Sequence, residues 1–204
     1  MKSRSRRRFA LMTLAAPLAA LSGTGSHANP IEDLLANAQK PRSDDEIWVL
    51  VDDRAATLSV YRGSNEIERF FPISLGRGGA KPSRLRGDNA TPLGEFRVNR
   101  FNYESQWHIF IGIDYPTPLH ARMALESGVF TEQDYEAYHA HYRRHGQPAQ
   151  NTALGGAIGI HGIGGGSPEI HSRFHWTEGC VAVTNEQIER LAERVSIGTR
   201  IVIR

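Results

Sequence analysis

The sequence has a single cysteine in 204 residues, so it can build neither an intramolecular disulfide framework nor a multi-cysteine zinc finger. It has no apolar run of about 18 residues or more, which excludes a chain that crosses a membrane repeatedly. It also lacks a strong excess of either charge, with 24 Lys and Arg against 22 Asp and Glu. Even that small surplus is local. Lys2, Arg4, Arg6, Arg7 and Arg8 lie in the first 28 residues and no acid does, so residues 29–204 hold 19 basic and 22 acidic side chains, a net of −3. No basic patch is left to track a phosphate backbone, which argues against nucleic-acid binding. What the chain does have is 20 Gly and 10 Pro, which speaks for a turn-rich fold over a helical bundle. A composition of 40% hydrophobic and 23% charged residues is that of an ordinary globular chain, and the length suits one domain.

Residues 1–28 read as an export signal. The five cations form a basic start, Ala10–Leu21 is a short apolar stretch, and Ser26-His27-Ala28 is a small-x-small cleavage site before Asn29. Ser5-Arg6-Arg7-Arg8-Phe9 resembles the twin-arginine export motif, with a Sec signal as the alternative. The apolar stretch contains Pro17 and is too short to span a bilayer, so no stable membrane span is expected. No cysteine stands near the cleavage site to carry a lipid. These features place the mature protein in the periplasm or cell envelope.

Residues 29–46 are expected as a leader and linker, with Ile31–Ala38 forming two helical turns and Pro41–Asp45 a connector. Short alternating runs follow. Ile47–Asp52 and Thr57–Tyr61 pair as a hairpin, and Glu66–Leu75 continues it, with Ile67, Arg69 and Phe71 on one side and Glu68 and Phe70 on the other. Gly76–Asn89 has no period and reads as an exposed loop. Leu93–Val98 and Trp107–Asp114 read as strands, and Thr117–Ser127 and Thr131–Arg144 as helices, the second opened by the Thr131/Asp134 capping pair. Gly155–Gly162 reads as a Gly-rich apolar strand and Ser167–Trp176 as a loop. Thr184 with Gln187 opens a helix through Arg194, and Thr199–Ile203 closes the chain as a strand. The expectation is an α+β domain over residues 47–204, mainly β, sandwich-like or barrel-like, with a few peripheral helices.

The solitary cysteine stands in Trp176-Thr177-Glu178-Gly179-Cys180-Val181. A free cysteine is usually a small buried hydrophobe. This one is unpaired in a chain with an export signal, follows a glycine that lets backbone N–H groups approach a substrate, and lies in turn residues just before a helix cap. A nucleophilic thiol needs a base, because the thiolate attacks. His161 supplies one, at the end of the apolar run Ala157–Ile160 and ahead of Gly162 and Gly164–Gly166.

His161-Gly162, a spacer, and then Thr177-x-Gly179-Cys180-Val181 together resemble the catalytic signature of the L,D-transpeptidase family with the YkuD-type catalytic domain. Asn89-Ala90-Thr91-Pro92-Leu93-Gly94-Glu95-Phe96 is similar to that family's T-P-x-G-x-F element. The opening hairpin, Val49-x-Val51-Asp52 with Leu58-x-Val60-Tyr61, is also similar, so the likeness runs over about residues 47–203. Two positions depart from the commonest form of the motif: Glu178 stands where a His is usual and Ala182 where an Arg is usual. The sequence Gly-Cys-Val-Ala-Val-Thr-Asn is closer to the YafK-like variant, some members of which cut peptidoglycan links.

The resemblance implies a YkuD-like fold and acyl transfer without a cofactor or metal. Cys180 would be the nucleophile and His161 the base, with Gly179 and Gly162 as oxyanion and loop glycines. Thr177, Trp176 and Tyr115 would contact or wall the substrate. The implied partners are peptidoglycan stem peptides, cut at the diaminopimelate–D-Ala bond, and carbapenem-type inhibitors. Transpeptidation, hydrolysis as an L,D-endopeptidase or carboxypeptidase, and a non-catalytic peptidoglycan-binding module all remain open at this point.

A metal is the rival reading. His171 and His175 with His161 and Cys180, or His139, His141 and His145, have suitable ligand types. However, a loop over 167–176 would not put His171 and His175 on one face, and the second cluster reads as a solvated helix. Arg77, Lys81, Arg84 and Arg86 are expected to be solvated, with carboxylates of an acidic peptide as the alternative.

Overall fold

A computed structural model describes residues 29–204; the export-signal reading falls on residues 1–28, outside the described residues. The elements run α1 (Pro30–Ala38), β1 (Ile47–Asp52), β2 (Thr57–Arg62), β3 (Asn65–Phe70), β4 (Ala80–Lys81), β5 (Thr91–Pro92), β6 (Gly94–Ser105), β7 (His108–Ile113), α2 (Pro118–Glu126), α3 (Glu132–His145), β8 (Gly159–His161), α4 (Pro168–Arg173), β9 (Val181–Ala182), α5 (Asn185–Arg194) and β10 (Arg200–Ile203). Eight strands form one mixed sheet in the order β3-β2-β1-β10-β6-β7-β8-β9, and β4 and β5 pair separately. This is the expected α+β architecture. Among the described residues no helix is long and apolar enough to cross a membrane.

The alternation in β3 falls as expected, with Glu68 and Phe70 buried and Ile67 and Arg69 exposed. The strand stops at Phe70 instead of running to Leu75, because Pro72 has no N–H to give a ladder. Buried Glu68 is held by Arg190 and Arg194 of α5, which ties this edge of the sheet to the helix. Both capping boxes form, at Thr131/Asp134 and Thr184/Gln187. The 167–176 segment is corrected: Ser167 caps the helix α4, and the chain turns extended at Phe174.

Residues 29–46 lie against the sheet. Ile31, Leu35 and Ala38 of α1 pack with Trp48, Leu50, Met123 and Val202. Arg200 of β10 fixes that segment. It is 1% exposed, its Nε and Nη2 donate to the two Glu46 oxygens at 2.8 and 3.0 Å, its Nη groups also donate to the Ala38 and Lys40 carbonyls, and its guanidinium lies 4.6 Å from the Trp48 ring centroid.

His120 of α2 is 4% exposed and stacks on Phe96. Its Nε2 faces the Leu93 carbonyl at 3.1 Å, so that nitrogen carries the proton, and Nδ1 accepts from the Thr117 hydroxyl at 2.7 Å. Burial pushes its pKa down from 6.5 to about 4. The folded state therefore holds His120 neutral, and the stability tied to it is full above pH 6.5 and is lost as pH falls toward 4. A shift of that size is worth about 3 kcal/mol. Thermal melts from pH 7 to pH 4 should show the loss, and His120→Gln should flatten that part of the curve. An unchanged slope in the variant would contradict this origin.

Candidate functional site

The sheet edge sets the geometry. β8 and β9 are parallel, with Ile160 opposite Val181 and His161 opposite Ala182. Continuing that register places Cys180 opposite Gly159, two residues from His161. Because side chains alternate along a strand, Cys180 and His161 share one face. Gly159 itself admits no side chain, since a Cβ there would meet the Ile111 carbonyl oxygen at 2.4 Å and the Phe110 ring at 2.6 Å.

Both residues line an open cleft of about 550 Å³, together with Trp107, Trp176, Thr177 and Arg84. Cys180 is half-buried, and its thiol lies 3.6 Å from the Ala157 carbonyl. Burial pushes the thiol up to about 11, with the Gly159 backbone N–H and the cations Arg84 and Arg100 pulling the other way.

His161 is 3% exposed. Its Nδ1 donates to the Gly162 carbonyl at 2.7 Å. A carbonyl only accepts, so Nδ1 carries the proton of the neutral ring and the lone pair is on Nε2. Trp107 packs on the imidazole at 5.1 Å and Trp176 meets it edge-on at 5.8 Å. Burial holds the imidazole below its usual range. Burial thus favours the neutral form of both groups, and the thiol's hydrogen bond goes to the Ala157 carbonyl.

The loop that carries the thiol is tightly tied. Thr177 Oγ1 donates to the Cys180 carbonyl at 2.7 Å and accepts from the Gly179 N–H at 3.1 Å. The Thr177 backbone bonds to Leu75 and Arg77, and Ala182 exchanges two bonds with Ser74. The segment after Phe71 thus clamps the cysteine loop from its outer side. Gly179 has φ +127°, and a Cβ there would lie 2.6 Å from the Ala90 carbonyl oxygen. Gly179→Ala should cost more than about 1 kcal/mol and displace Cys180; a melting curve and a thiol-alkylation rate would both register it, and unchanged values in both would contradict the packing account.

Other expected site residues fall in different places. The Gly162 N–H donates to the Ile109 carbonyl at 3.3 Å, so Gly162 contributes its carbonyl to His161. Behind it, Asn185 locks the following loop through two bonds with Gly164 at 2.9 Å. Tyr115 is corrected. It is fully buried and donates to the Leu154 carbonyl at 3.3 Å, so it does not wall the cleft; its ring backs the Arg84 guanidinium at 5.7 Å. Arg84 is corrected too, because it is 4% exposed where a solvated side chain was expected. Trp107 was not singled out from the sequence, since its contact with His161 arises only when β7 pairs with β8.

A family model of the L,D-transpeptidase catalytic domain, YkuD, matches residues 46–203. The chain belongs to this family. No curated protein matches the sequence. Among solved structures, Bd1075 from Bdellovibrio bacteriovorus is similar at 20% identity and a TM-score of 0.51, over 84% of this chain and 51% of that one. The helical cell shape determining protein Pgp2 from Campylobacter jejuni is similar at 17% identity and a TM-score of 0.55, over 85% and 53%. The chain spans about half the length of these two proteins, and at such identities the likeness is one of fold.

Within this L,D-transpeptidase domain, the two departures from the common motif sit apart. Glu178 is exposed at the cleft rim, 3.7 Å from Arg77. Ala182 is fully buried beneath the loop. Two of the histidines considered for a metal are otherwise engaged. His171 Nε2 donates to the Pro72 carbonyl and its Nδ1 faces the Trp176 indole N–H, while His175 Nδ1 accepts from the Leu75 N–H. Among the described residues no group of three metal-ligating side chains assembles.

Proposed function

We propose that the protein is an exported, cysteine-dependent L,D-transpeptidase acting on peptidoglycan stem peptides in the periplasm. The observation that carries this is the shared face of Cys180 and His161 in one cleft, with the imidazole fixed by Gly162 so that Nε2 is the free base. The donor is a stem peptide cut at its diaminopimelate–D-Ala bond. As the scissile carbonyl approaches, Cys180 Sγ gives its proton to His161 Nε2 and forms the S–C bond. Collapse of the tetrahedral adduct breaks the C–N bond, and His161 returns the proton to the departing D-Ala amine. An acceptor amine then attacks the thioester carbonyl, losing its proton to His161, which passes it to the Cys180 sulfur as the S–C bond breaks.

The oxyanion donor in this reading is the Cys180 backbone N–H, since the Gly179 N–H is taken by Thr177. One such donor is typically worth about 3 kcal/mol in the transition state. Trp176 and Trp107 flank the imidazole and keep water from it. Hydrolysis of the thioester is the second reading; the exposed rim around Glu178, where the common motif has a histidine, favours it. Carbapenems should acylate Cys180 by the same attack. Pgp2 determines helical cell shape, and a role in cell shape is the corresponding reading for this chain.

A thiol pushed up to about 11 by burial carries little thiolate at neutral pH. Iodoacetamide should alkylate Cys180 at least about tenfold more slowly than a free thiol at pH 8, after allowing for the greater reactivity of a more basic thiolate. The rate should still be rising at pH 9. A plateau below pH 7 would mean a preformed thiolate–imidazolium pair and contradict the neutral resting state.

The function is tested by offering tetrapeptide and cross-linked muropeptides together to residues 29–204 and reading the products by mass. New dimers linked between two diaminopimelate residues, absent with Cys180→Ala, support transpeptidation. Shortened stems or lost dimers, again dependent on Cys180, make the protein a hydrolase. No Cys180-dependent change overturns the proposal.

A further inference from the structure

Arg84 is a buried cation with too few partners. Its Nε and Nη1 are buried and lack a hydrogen-bond partner among the described residues. The nearest carboxylate, Asp88, stands 3.8 Å from Nε, and its two oxygens already accept the Ala90 and Leu85 N–H groups at 2.9 and 3.0 Å. Tyr115 backs the guanidinium with its ring, which supplies no acceptor in that direction. A buried charge without its hydrogen bonds is costly, so a group of this kind points to something that binds it.

Its position says where. A Cβ at Gly179 would lie 2.5 Å from Nη1 and 3.2 Å from Cζ, and one at Gly155 would lie 3.5 Å from Nη2. The guanidinium is thus packed between the residue that precedes Cys180 and Gly155, which also lines the cleft. The cleft is lined by three arginines, Arg77, Arg84 and Arg86, and by one carboxylate, Glu178, which is turned out at the rim. Arg86 already donates to the Thr152 carbonyl and Arg77 is exposed to solvent beside Glu178, so Arg84 is the buried arginine with donors to spare.

We propose that Arg84 anchors a carboxylate carried by one of the two residues that the scissile bond joins, and that this contact makes the protein prefer acid over amide substrates. The inference rests on the acyl-transfer reading of the same cleft. Guanidinium and carboxylate match as a planar, two-bond pair, which a lysine cannot reproduce. The residues joined by the bond carry two carboxylates: the C-terminal one on D-Ala and the side-chain one on diaminopimelate.

Calorimetric binding on Cys180→Ala separates recognition from chemistry. Three forms of the tetrapeptide L-Ala–γ-D-Glu–diaminopimelate–D-Ala would be titrated: the free acid, the C-terminal amide and the diaminopimelate side-chain amide. One of the two amides should bind at least tenfold more weakly than the acid, and which one does so identifies the carboxylate. Adding Arg84→Gln should remove the difference, and Arg84→Lys should retain part of it. Equal binding of all three peptides, binding of none at millimolar concentration, or the same acid preference in the Arg84→Gln background would each overturn the inference. Should Arg84→Gln fail to fold by its melting curve, the acid–amide comparison in Cys180→Ala and the Arg84→Lys background still decides. Acylation of the unmutated protein by the free acid is read in parallel. Acid preference without acylation would sink the acyl-transfer reading and leave the carboxylate site; acylation without acid preference would do the reverse.

Discussion

Replacing Cys180 by alanine is expected to abolish turnover of stem peptides, by at least about 10³-fold, because it removes the sequence's single thiol, which shares a face with His161. His161→Ala should lose a comparable amount, since the thiol sits above neutrality and depends on Nε2 to take its proton. The two side chains act as a unit, so the double variant should be no worse than either single one. Cys180→Ala should melt near the unmutated protein, because the Cys180 loop is held by Thr177 and by the Ser74–Ala182 bonds, whereas His161→Ala empties a buried site between Trp107 and Trp176 and should melt lower. Steady-state rates on purified muropeptides, with melting curves beside them, are the check. A Cys180→Ala protein that retained a tenth of the activity would refute the thiol mechanism.

Arg200→Ala should give the largest loss of stability, about 3–5 kcal/mol. The residue is buried with Glu46 on one side and Glu95 at 3.7 Å on the other. Removing it strands Glu46 and the carbonyls of Ala38 and Lys40, leaves Glu95 with Arg42 alone, and takes the cation from the Trp48 ring. The α1 segment should then detach first, so proteolysis near Lys40 should accelerate together with the fall in denaturant midpoint. A loss below about 1 kcal/mol would show that solvent reaches the pair and screens it. Glu46→Gln should recover part of the cost in the Arg200→Ala background, because it removes one uncompensated charge.

Local chemistry made much of this legible before any coordinates. The β1–β2 hairpin followed from period-2 alternation, and the Thr131 and Thr184 caps from side chains that satisfy free backbone N–H groups. Cys180 stood out as the single cysteine, and His161, one of nine histidines, because its order and spacing from Cys180 resemble the family signature. The far half of β6 was not legible. Its residues beyond Val98 are partly exposed on both faces, and exposed strands do not alternate. α4 was missed because six residues carry too little periodicity, although Ser167-Pro168 was a usable start signal. The burial of Arg84 and Tyr115, and the seat of Trp107 on His161, depend on contacts between segments far apart in the chain, which no local pattern encodes.

The most direct measurement of the central claim is the intact mass of residues 29–204 after brief exposure to the tetrapeptide donor or to a carbapenem, followed by peptide mapping. The account predicts one adduct per protein, of the mass of a thioester at Cys180, formed by the donor with release of D-Ala and absent in Cys180→Ala. An unmodified protein after exposure to both reagents, or an adduct that persists in Cys180→Ala, would contradict it.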